Sequence, residues 1–425
     1  MSTNSYLDGW ETMPLRYVCE LNPSIVFNGF DEDDDLTFLP MDRVKSGYFI
    51  PNTDKFSKYG PSYSAFEDGD IILAKVTPCF ENGNIAIAGE LVRGKGFGSS
   101  ELFVIRPTVA NRRFLFYYLQ SWPFKQDGEA SMTGAGGLKR VSTDVLRQHR
   151  LPLPTQEIQG LIVDYLDREI ARIDGLIAEK ERMLSLLEEK RTALISRVVT
   201  RGLDPNVPLE YSGQEWLGDI PAHWGVCQLK RTWASSDYGL SESIRDEGDI
   251  SVLRMSCIVD GRIDVSKSGM ISEVHDNLLL QRDDLLFNRT NSLDQIAKVG
   301  LVDFDPEGPL TFASYLVRIR ANHRASPRYL VELLNASVFL EFARKNAIPA
   351  IGQANLSPTR YGEIQIPLPP KHEQEDIVAF LMADSLRSKP IQENIRKSLN
   401  LLKERRAALI TAAVTGQVPL EEISG

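Results

Sequence analysis

The sequence predicts an α/β (α+β) protein with two tandem mixed α/β domains. The domains are separated by a pair of long antiparallel coiled-coil helices, related by a pseudo-two-fold axis. Three observations predict this architecture. The chain of 425 residues repeats itself at an interval of about 214 residues. Each copy contains a long block with apolar residues three and four apart, and each carries short strand-like runs bounded by glycine, proline and aspartate.

The repeat divides the chain into divergent and matched blocks. Pro152-Leu153-Pro154 recurs as Pro367-Leu368-Pro369, an offset of 215, and the following residues align without a gap. In the divergent blocks an offset of 214 aligns Trp10 with Trp224. The predicted segments are domain 1 (1–151), helical spacer 1 (152–201), a linker (202–214), domain 2 (215–366), helical spacer 2 (367–416) and a tail (417–425).

Each divergent block has the pattern of a mixed α/β domain. Short apolar runs between turn residues predict strands, and longer runs with helical spacing predict helices. The predicted strands of the first block are Leu36–Met41, Asp70–Lys75, Asn84–Ala88 and Glu101–Arg106, and the predicted helices are Phe114–Gln120 and, in the second block, Tyr329–Asn335.

The matched blocks predict two helices each. Pro-Leu-Pro is an extended opening that cannot propagate a helix, so the first helix begins after it. Gly175 and Pro390 then occupy the same aligned position. Two helix breakers at one position predict a bend between a short helix and a longer one, with Asp174 and Ser388 as N-caps.

The longer helix, predicted from about 176 to 200, has the alternating steps of three and four residues that mark a coiled-coil seam. About 25 residues at 1.5 Å each form a rod of roughly 37 Å, close to one turn of B-DNA at about 34–36 Å. The alternative is that each long helix packs only on its own domain. The predicted seam consists of Ile177, Leu184, Leu187, Arg191, Leu194 and Val198 in the first copy, and Ile395, Leu399, Leu402, Arg406, Leu409 and Ala413 in the second.

The seam also contains charged positions that repeat. Arg191 aligns with Arg406, and Glu189 aligns with Glu404. In an antiparallel pair these residues are expected to form Arg–Glu contacts between the helices, which would help to fix the register.

Composition limits the class of protein. A formal net charge of −10 argues against DNA binding by bulk electrostatics, although a local basic face is compatible with it. The four cysteines have no CxxC spacing, which favours reduced thiols and no zinc site. Met1–Asn4 lacks a secretory pattern and no apolar run could span a membrane, so we expect a cytoplasmic protein. The acidic run 31–35 is expected to be a solvated loop, with a metal site as the weaker alternative.

Loops in each divergent block combine glycine or a strand end with cations and short polar side chains. Glycine permits a close approach to nucleic acid, arginine pairs with guanine, and asparagine or glutamine pairs with adenine. An ordinary solvated loop is the alternative. The candidate DNA contacts are Arg43, Lys75, Thr77, Lys139, Arg140 and Ser142 in the first block, and Arg254, Asn288, Arg289, Asn291, Gln353 and Asn355 in the second.

The sequence contains no recognisable catalytic motif. There is no Asn-Pro-Pro-Tyr or Asp-Pro-Pro-Tyr for amino-methyl transfer, no GxGxxG after a strand and no HExxH. A non-catalytic protein without a metal site is therefore expected.

Taken together, these features resemble the specificity (S) subunit of type I restriction-modification systems. The resemblance rests on Pro-Leu-Pro followed by Gln159, Ile162, Val163 and Leu166, with a copy at 367–381. It is strengthened by Glu-x-Arg-x-Ala-Leu-Ile near the end of each long helix, by the opening from Trp216 to Trp224, and by the Gly-Asp-Ile-Ile strand at 69–72. It covers essentially the whole chain.

This resemblance implies a division of labour. The divergent blocks look like target recognition domains that each read one half of a bipartite sequence in double-stranded DNA. The matched blocks look like the spacer that docks two methyltransferase (M) subunits. Partner M and restriction/translocase (R) subunits would supply S-adenosylmethionine-dependent adenine methylation and ATP-driven cleavage, with ATP and Mg, so this chain would hold no cofactor. The sequence departs from the family pattern at Pro390 and in the polar Gln392.

A coiled-coil scaffold that binds proteins and no DNA is the alternative. It agrees with the acidic charge and the missing catalytic motifs, and it predicts salt-independent binding to protein. A nuclease or methyltransferase with an unrecognised site is a third hypothesis, which requires activity from the isolated chain.

Overall fold

A computed structural model of the chain describes residues 10–60, 62–135, 137–241, 244–245, 247–350 and 352–423. The expectations stated for Met1–Asn4, and the last two residues of the predicted tail, lie outside these ranges. The chain divides into two compact units. Unit 1 extends to Glu181 and resumes at Arg396, while unit 2 extends from Arg182 to Ile395. Each unit therefore contains one divergent block and a part of both matched blocks.

Unit 1 is built on two four-stranded sheets. Its strands are β1 (Glu11–Pro14), β2 (Cys19–Leu21), β3 (Asp35–Leu39), β4 (Asn52–Lys55), β5 (Ser64–Glu67), β6 (Ile71–Ala74), β7 (Ile85–Ile87), β8 (Lys95–Gly98), β9 (Leu102–Pro107), β10 (Thr133–Ala135), β11 (Leu138–Arg140) and β12 (Arg150–Leu153). One sheet has the order β2-β9-β6-β7 and is antiparallel, and the other has the order β4-β3-β8-β5 with β3 and β8 parallel. β1 pairs with β12, and β10 forms a hairpin with β11.

The burial of β6 explains its wholly apolar sequence. Ile71 and Leu73 pack in one core of unit 1, whereas Ile72 and Ala74 pack in a second core. Since successive side chains of a strand point to opposite faces, β6 is buried on both faces. The predicted strands 70–75, 84–88 and 101–106 are confirmed within one or two residues at each end as β6, β7 and β9.

The helices of unit 1 cover the face of the sheet that carries Ile71 and Leu73. α1 (Arg112–Tyr118) is capped by Asn111, whose side-chain oxygen accepts hydrogen bonds from the N–H groups of Arg113 and Phe114. α2 (Trp122–Ala130) and α3 (Thr143–Gln148) follow. Phe114, Phe124 and Leu146 of these helices are fully buried in the same core.

Unit 2 has a six-stranded sheet and a three-stranded sheet. Its strands are β13 (Leu209–Tyr211), β14 (Asp219–Pro221), β15 (Gly225–Gln228), β16 (Trp233–Tyr238), β17 (Ile250–Leu253), β18 (Ile258–Val259), β19 (Arg262–Ile263), β20 (Gly269–Ile271), β21 (Leu285–Asn288), β22 (Thr290–Asn291), β23 (Val299–Leu301), β24 (Leu310–Phe312), β25 (Leu316–Ala321), β26 (Ile348–Ala350), β27 (Gln353–Asn355) and β28 (Gln365–Leu368). The sheet orders are β16-β25-β21-β23-β19-β18 and β20-β17-β24. A further three-stranded sheet, β22-β27-β26, and the pairs β13-β14 and β15-β28 complete the unit.

Three shorter α-helices lie among the last strands of the described part of unit 2: α5 (Pro327–Asn335) and α6 (Ser337–Lys345) between β25 and β26, and α7 (Pro358–Glu363) between β27 and β28. They pack on the main sheet, because Leu285 and Phe287 of β21 share one core with Tyr329 and Tyr361. Leu286 belongs to another core, so β21 is buried on both faces like β6.

The duplication extends to strand register. Glu11 lies opposite Leu153 in the β1-β12 ladder, and Gly225 lies opposite Leu368 in β15-β28. These residues are related by the offsets of 214 and 215 found in the sequence. The parallel pair β3-β8 is likewise repeated as β17-β24. The two tandem mixed α/β domains predicted from sequence are confirmed.

The predicted division of each matched block into a short helix and a longer one is wrong. α4 (Gln156–Arg201) and α8 (Lys371–Val414) are continuous helices of 46 and 44 residues, with Pro390 inside α8. Proline removes one backbone hydrogen bond and crowds the preceding turn, yet the helix continues on both sides of it. Asp174 lies inside α4 and Ser388 inside α8, so neither is an N-cap.

Within unit 1, the first part of α4 lies beside the last part of α8. Arg406 donates to Asp174 at 2.8 Å, and Lys403 lies 3.4 Å from Glu181. Residue numbers rise along α4 as they fall along α8, so the two segments are antiparallel. The partner of Arg406 is therefore Asp174 and not the expected glutamate. The Arg–Glu prediction was wrong here because it set the register of the two helices from aligned positions alone.

The twelve residues of the predicted seam are all buried or partly buried, unlike most of their neighbours on the same helices. Val198 of α4 and Ala413 of α8 are fully buried, the first in the core of unit 2 and the second in that of unit 1. The short helix α9 (Leu420–Ile423) follows α8. Among the described residues, no helix is both long and apolar enough to cross a membrane.

Candidate nucleic-acid interface

Two loops that the sequence singled out separately meet in unit 1. The N–H of Thr77 donates to the carbonyl of Lys139 at 3.0 Å, and the N–H of Val141 donates to the carbonyl of Lys75 at 2.8 Å. The Thr77 hydroxyl donates to the Gly137 carbonyl at 3.1 Å and accepts from the N–H of Lys139 at 3.0 Å. The loop after β6 and the β10-β11 hairpin thus form one surface. We call residues 75–77 with 138–140 loop pair 1.

The same arrangement recurs in unit 2. β22 pairs with β27, and the N–H of Leu356 donates to the carbonyl of Arg289 at 2.8 Å. The side-chain amide of Asn355 donates to the Thr290 hydroxyl at 3.0 Å. We call residues 289–291 with 353–355 loop pair 2. Gly136 and Ile351, which belonged to the predicted glycine loops, lie outside the described residues.

The two loop pairs correspond position by position. Val76 bridges Arg140 in unit 1, and Thr290 pairs with Asn355 in unit 2. These residues are related by the same two offsets as the rest of the repeat. The backbone geometry of the loops is therefore duplicated, while the side chains that they present differ between the units.

The cations of loop pair 1 have different environments. The ammonium of Lys75 lies 5.5 Å from the centroid of the Phe103 ring. Arg140 donates two hydrogen bonds to Glu101, at 2.9 and 2.7 Å, and these bonds lower the pKa of the Glu101 carboxyl. Lys139 is exposed. Lys139 thus contributes positive charge to the surface, whereas the charge of Arg140 is compensated by Glu101. Lys75 is half-buried and close enough to Glu101 to help lower the pKa of that carboxyl.

Loop pair 2 is centred on Arg289. Its guanidinium carbon lies 5.1 Å from the centroid of the Tyr238 ring, and Nη1 donates to the carbonyl of Ser314 at 3.3 Å. Asn288, at the end of β21, is 2 % exposed. Its side-chain oxygen and the Nε of Arg289 are both buried, and neither has a hydrogen-bond partner among the described residues. This pair of unpaired buried groups is unusual in a folded protein.

The remaining candidates are distributed between these surfaces and other sites. Gln353 is exposed on β27, and the side-chain oxygen of Asn291 accepts from the N–H of Ser292 at 2.8 Å. The Ser142 hydroxyl caps α3 by accepting from the N–H of Asp144 at 3.2 Å. Arg43 donates to the side chain of Asn52 in the turn after β3.

Arg254 lies outside loop pair 2. It follows β17, and its guanidinium lies beside Gly269 on β20. Among the described residues, the side chains of neither Arg43 nor Arg254 hydrogen-bond to a loop pair. In unit 1 the loop after β6 thus lies beside the β10-β11 hairpin, and in unit 2 the loop after β21 lies beside the β26-β27 hairpin. Arg43 and Arg254 belong to neither loop pair.

Ion pairs between a buried aspartate and a partly exposed arginine support the strands that lead into the loops. Asp70, at the start of β6, accepts two hydrogen bonds from Arg106 at 2.7 and 2.8 Å. Asp284 accepts from Arg320 in the same way in unit 2, with a shorter bond of 2.7 Å. Both aspartates are almost fully buried, and each pair is bidentate, the geometry that fixes orientation best.

Metal binding finds no support in the described part of the chain, where no group of three His, Cys, Asp or Glu residues could hold an ion. Within the acidic run 31–35, Asp34 pairs with Arg93 at 2.7 Å and Asp35 pairs with Lys55 at 2.8 Å. Hydrogen bonding by the N–H of Asp31, with Arg93 close by, lowers the pKa of Asp34. The run is thus tied to neighbouring cations.

Tyr238 is an aromatic neighbour of Arg289 and is 52 % exposed, and it was not among the candidates predicted from sequence. It ends β16, and by strand register the corresponding residue in the first copy is Pro23. No motif or repeat marks it, because its relevance depends on which strand lies beside β25.

Comparison with known proteins identifies the family. The family model of the type I restriction modification DNA specificity domain matches residues 7–183 and 225–399. The chain therefore belongs to this family, with one copy of the domain in each half of the sequence.

Individual relatives agree with this assignment. The specificity subunit of the type I restriction enzyme EcoAI of Escherichia coli is 33 % identical over 184 residues, which are 42 % of this chain and 31 % of that protein. The EcoKI specificity subunit of E. coli strain K12 is 23 % identical over 443 residues, covering 98 % of this chain and 92 % of that protein. The alignments with the first two relatives, EcoAI and EcoEI, cover about a third of those proteins, 31 and 30 %.

A solved structure shares the fold. It was described in a study of complex assembly and conformational transition of the type I R-M system, and it matches with a TM-score of 0.71 at 16 % identity. The match covers 96 % of this chain and 98 % of that chain.

Proposed function

We propose that this chain is the non-catalytic DNA sequence-recognition subunit of a type I restriction-modification complex. Target recognition domain 1 (1–151) and target recognition domain 2 (215–366) each read one half of a bipartite target in double-stranded DNA. The observation that carries this proposal is the pair of duplicated loop surfaces. Their backbone hydrogen bonds correspond position by position, while their side chains differ. Such a design suits two readers that share a scaffold and recognise different half-sites.

The side chains of the loop pairs have the chemistry of DNA readout. Lysine contributes phosphate contacts, which position a protein on the duplex without specifying sequence. Arginine and the amides of asparagine and glutamine form the bidentate contacts that discriminate guanine and adenine in the major groove. Loop pair 1 presents Lys75 and Lys139, and loop pair 2 presents Arg289 and Gln353. Because backbone bonds hold these loops, little ordering entropy remains to oppose binding.

The long helices are proposed to dock two methyltransferase subunits, to which the restriction subunits are added. The exposed apolar side chains of these helices are the candidates for that contact, and they would form a docking surface where they lie next to one another. Those on α4 and α8 are Leu161, Leu176, Met183, Leu186, Met382, Leu386, Ile391 and Leu401. S-adenosylmethionine, ATP and Mg would then be bound by the partner subunits. With a net charge of −10, such partners would also be needed to supplement the phosphate contacts of this chain.

Exchange of one recognition domain tests the proposal. Residues 215–366 are replaced by the corresponding block of another family member, and the complex with the methyltransferase subunits is assayed by methylated-base sequencing. We expect one half of the methylated motif to change and the other half to remain. A change in both halves would contradict independent reading by the two domains.

A salt titration separates the proposal from a protein-binding scaffold. Binding of the complex to duplex DNA should weaken steeply as salt rises, because bound cations are released from the phosphates. The matched control is the same salt titration of the binding between this chain and the methyltransferase subunits in the absence of DNA. Salt-independent protein binding with no duplex binding would favour the scaffold.

A further inference from the structure

The environment of Arg289 is more elaborate than that of an ordinary loop arginine. Its N–H donates to the carbonyl of Tyr315 at 3.1 Å, and its carbonyl accepts from Leu356 at 2.8 Å, so its backbone is fixed on both sides. The position of the guanidinium is restricted by the Tyr238 ring, whose centroid lies 5.1 Å away, and by the hydrogen bond to the carbonyl of Ser314. These contacts restrain a side chain that otherwise has many rotamers.

Strand register places Tyr238 beside this arginine. Val317 of β25 lies between two partners, Tyr238 on β16 and Phe287 on β21. Arg289 follows Phe287 by two residues. β16 is the edge strand of the six-stranded sheet, and its last residue, Tyr238, is half-exposed beside the start of loop pair 2.

The ring is not required by the duplicated scaffold. By strand register, Pro23 occupies the corresponding position in unit 1, where the corresponding cation, Lys75, lies over Phe103 of a different strand. Each unit thus holds its loop cation over an aromatic ring, but it takes that ring from a different place. In both units a cation lies over an aromatic ring, although residues at different positions supply the ring. We therefore relate the presence of Tyr238 to its contact with the cation and not to a requirement of the duplicated fold.

We propose that Tyr238 is the positioning residue for Arg289, and that the two together determine specificity at one base pair of the half-site read by unit 2. The inference rests on the proposed function. The ring face and the Ser314 carbonyl set the plane of the guanidinium before DNA arrives. Planar alignment is what a bidentate contact to guanine requires. The buried Nε of Arg289, unpaired among the described residues, gains an acceptor when a base edge or phosphate approaches after a small rotation.

The test compares single and double variants in the complex with its methyltransferase subunits. Once the methylated motif of the unmodified complex is known, binding is measured for the target duplex and for duplexes changed at each position of this half-site. Arg289→Ala is expected to reduce discrimination at one position by roughly 5- to 150-fold. Tyr238→Ala should reduce it at the same position by about 2- to 5-fold, the effect of an exposed cation–π contact.

Two further variants identify the role of the ring. Tyr238→Phe retains the ring and should retain discrimination. Tyr211→Ala removes a tyrosine that is 62 % exposed on β13 of the same unit and should change nothing. In the Arg289→Ala background, Tyr238→Ala should have no additional effect, since a positioning residue acts through the residue that it positions.

Several outcomes would overturn the inference. They are an additive effect of the two alanine substitutions, a loss with Tyr238→Phe as large as with Tyr238→Ala, or a Tyr238→Ala variant that behaves like Tyr211→Ala. If the proposed function itself is wrong, the binding assay gives a different result, because the unmodified complex would then select no sequence.

Discussion

At the scale of single residues, the duplicated polar positions are structural anchors. Gln374 is fully buried, accepts from the N–H of Ser326 at 2.7 Å and donates to the carbonyl of Pro369 at 2.9 Å. Gln159 makes the equivalent bonds to Asn111 and Pro154, at 2.7 and 2.8 Å. The alignment of the two glutamines was evident from sequence. Their role was not, because an alignment records positions and not hydrogen-bond partners.

Residue identity alone also could not assign the candidate contacts. Arg140 and Arg289 are both arginines beside loops, yet one is paired with Glu101 and the other lies over Tyr238. The partner of each comes from a distant part of the chain. Only the strand order determines which of these arginines is compensated.

Glu332 of α5 gives a pH-dependent prediction. Partial burial raises the pKa of this carboxyl, although the positive charges of Arg191 and Arg262 oppose the shift. The folded protein therefore holds this proton more tightly than the unfolded chain does, so the stability contribution falls as pH rises through the folded-state pKa. We expect Glu332→Gln to raise the melting temperature at pH 7 to 8, with an advantage that shrinks as the pH is lowered towards the ordinary glutamate pKa.

The matched control for that measurement is Glu341→Gln, at an exposed position on the neighbouring helix α6. Its melting temperature should follow that of the unmodified protein across the same pH range. An advantage of Glu332→Gln that is constant with pH would show that charge burial is not its cause.

At the scale of elements, strands were easier to predict than helix boundaries. β6 and β21 are short apolar runs that the structure buries on both faces, and that burial leaves a plain pattern in the sequence. The predicted helix break failed because glycine and proline give only a local preference. Gly175 lacks a side chain and so only weakens the local helical preference of α4, and Pro390 costs one hydrogen bond in a helix of 44 residues. Packing along the rest of each helix outweighs these local effects.

The packing of α8 in unit 1 can be tested with one apolar substitution. Ile410 is 1 % exposed in the core formed with α1, α2 and α4. Ile410→Ala removes buried methyl groups and should destabilise the protein by about 2–5 kcal/mol, measured by thermal unfolding of the complete chain. Leu401→Ala on the same helix, at a position 56 % exposed, should change stability by less than about 0.5 kcal/mol. Equal effects of the two substitutions would contradict the observed packing.

At the scale of the whole molecule, the repeat was the most informative property of the sequence. It predicted two mixed α/β domains and two long helices, and these are confirmed. It also located the loops after β6 and β21 and the glycine-rich hairpins. It did not predict that these loops would pair, because Val76 and Arg140 are distant in sequence and their contact arises from tertiary structure.

We propose that one chain with two duplicated loop surfaces directs a modification complex to a two-part DNA sequence. The most direct test is methylated-base sequencing of the host genome with and without the gene, while the partner subunits are expressed. Without the gene, we expect adenine methylation to disappear at one bipartite motif with a fixed unread gap. Unchanged methylation at every motif would contradict it.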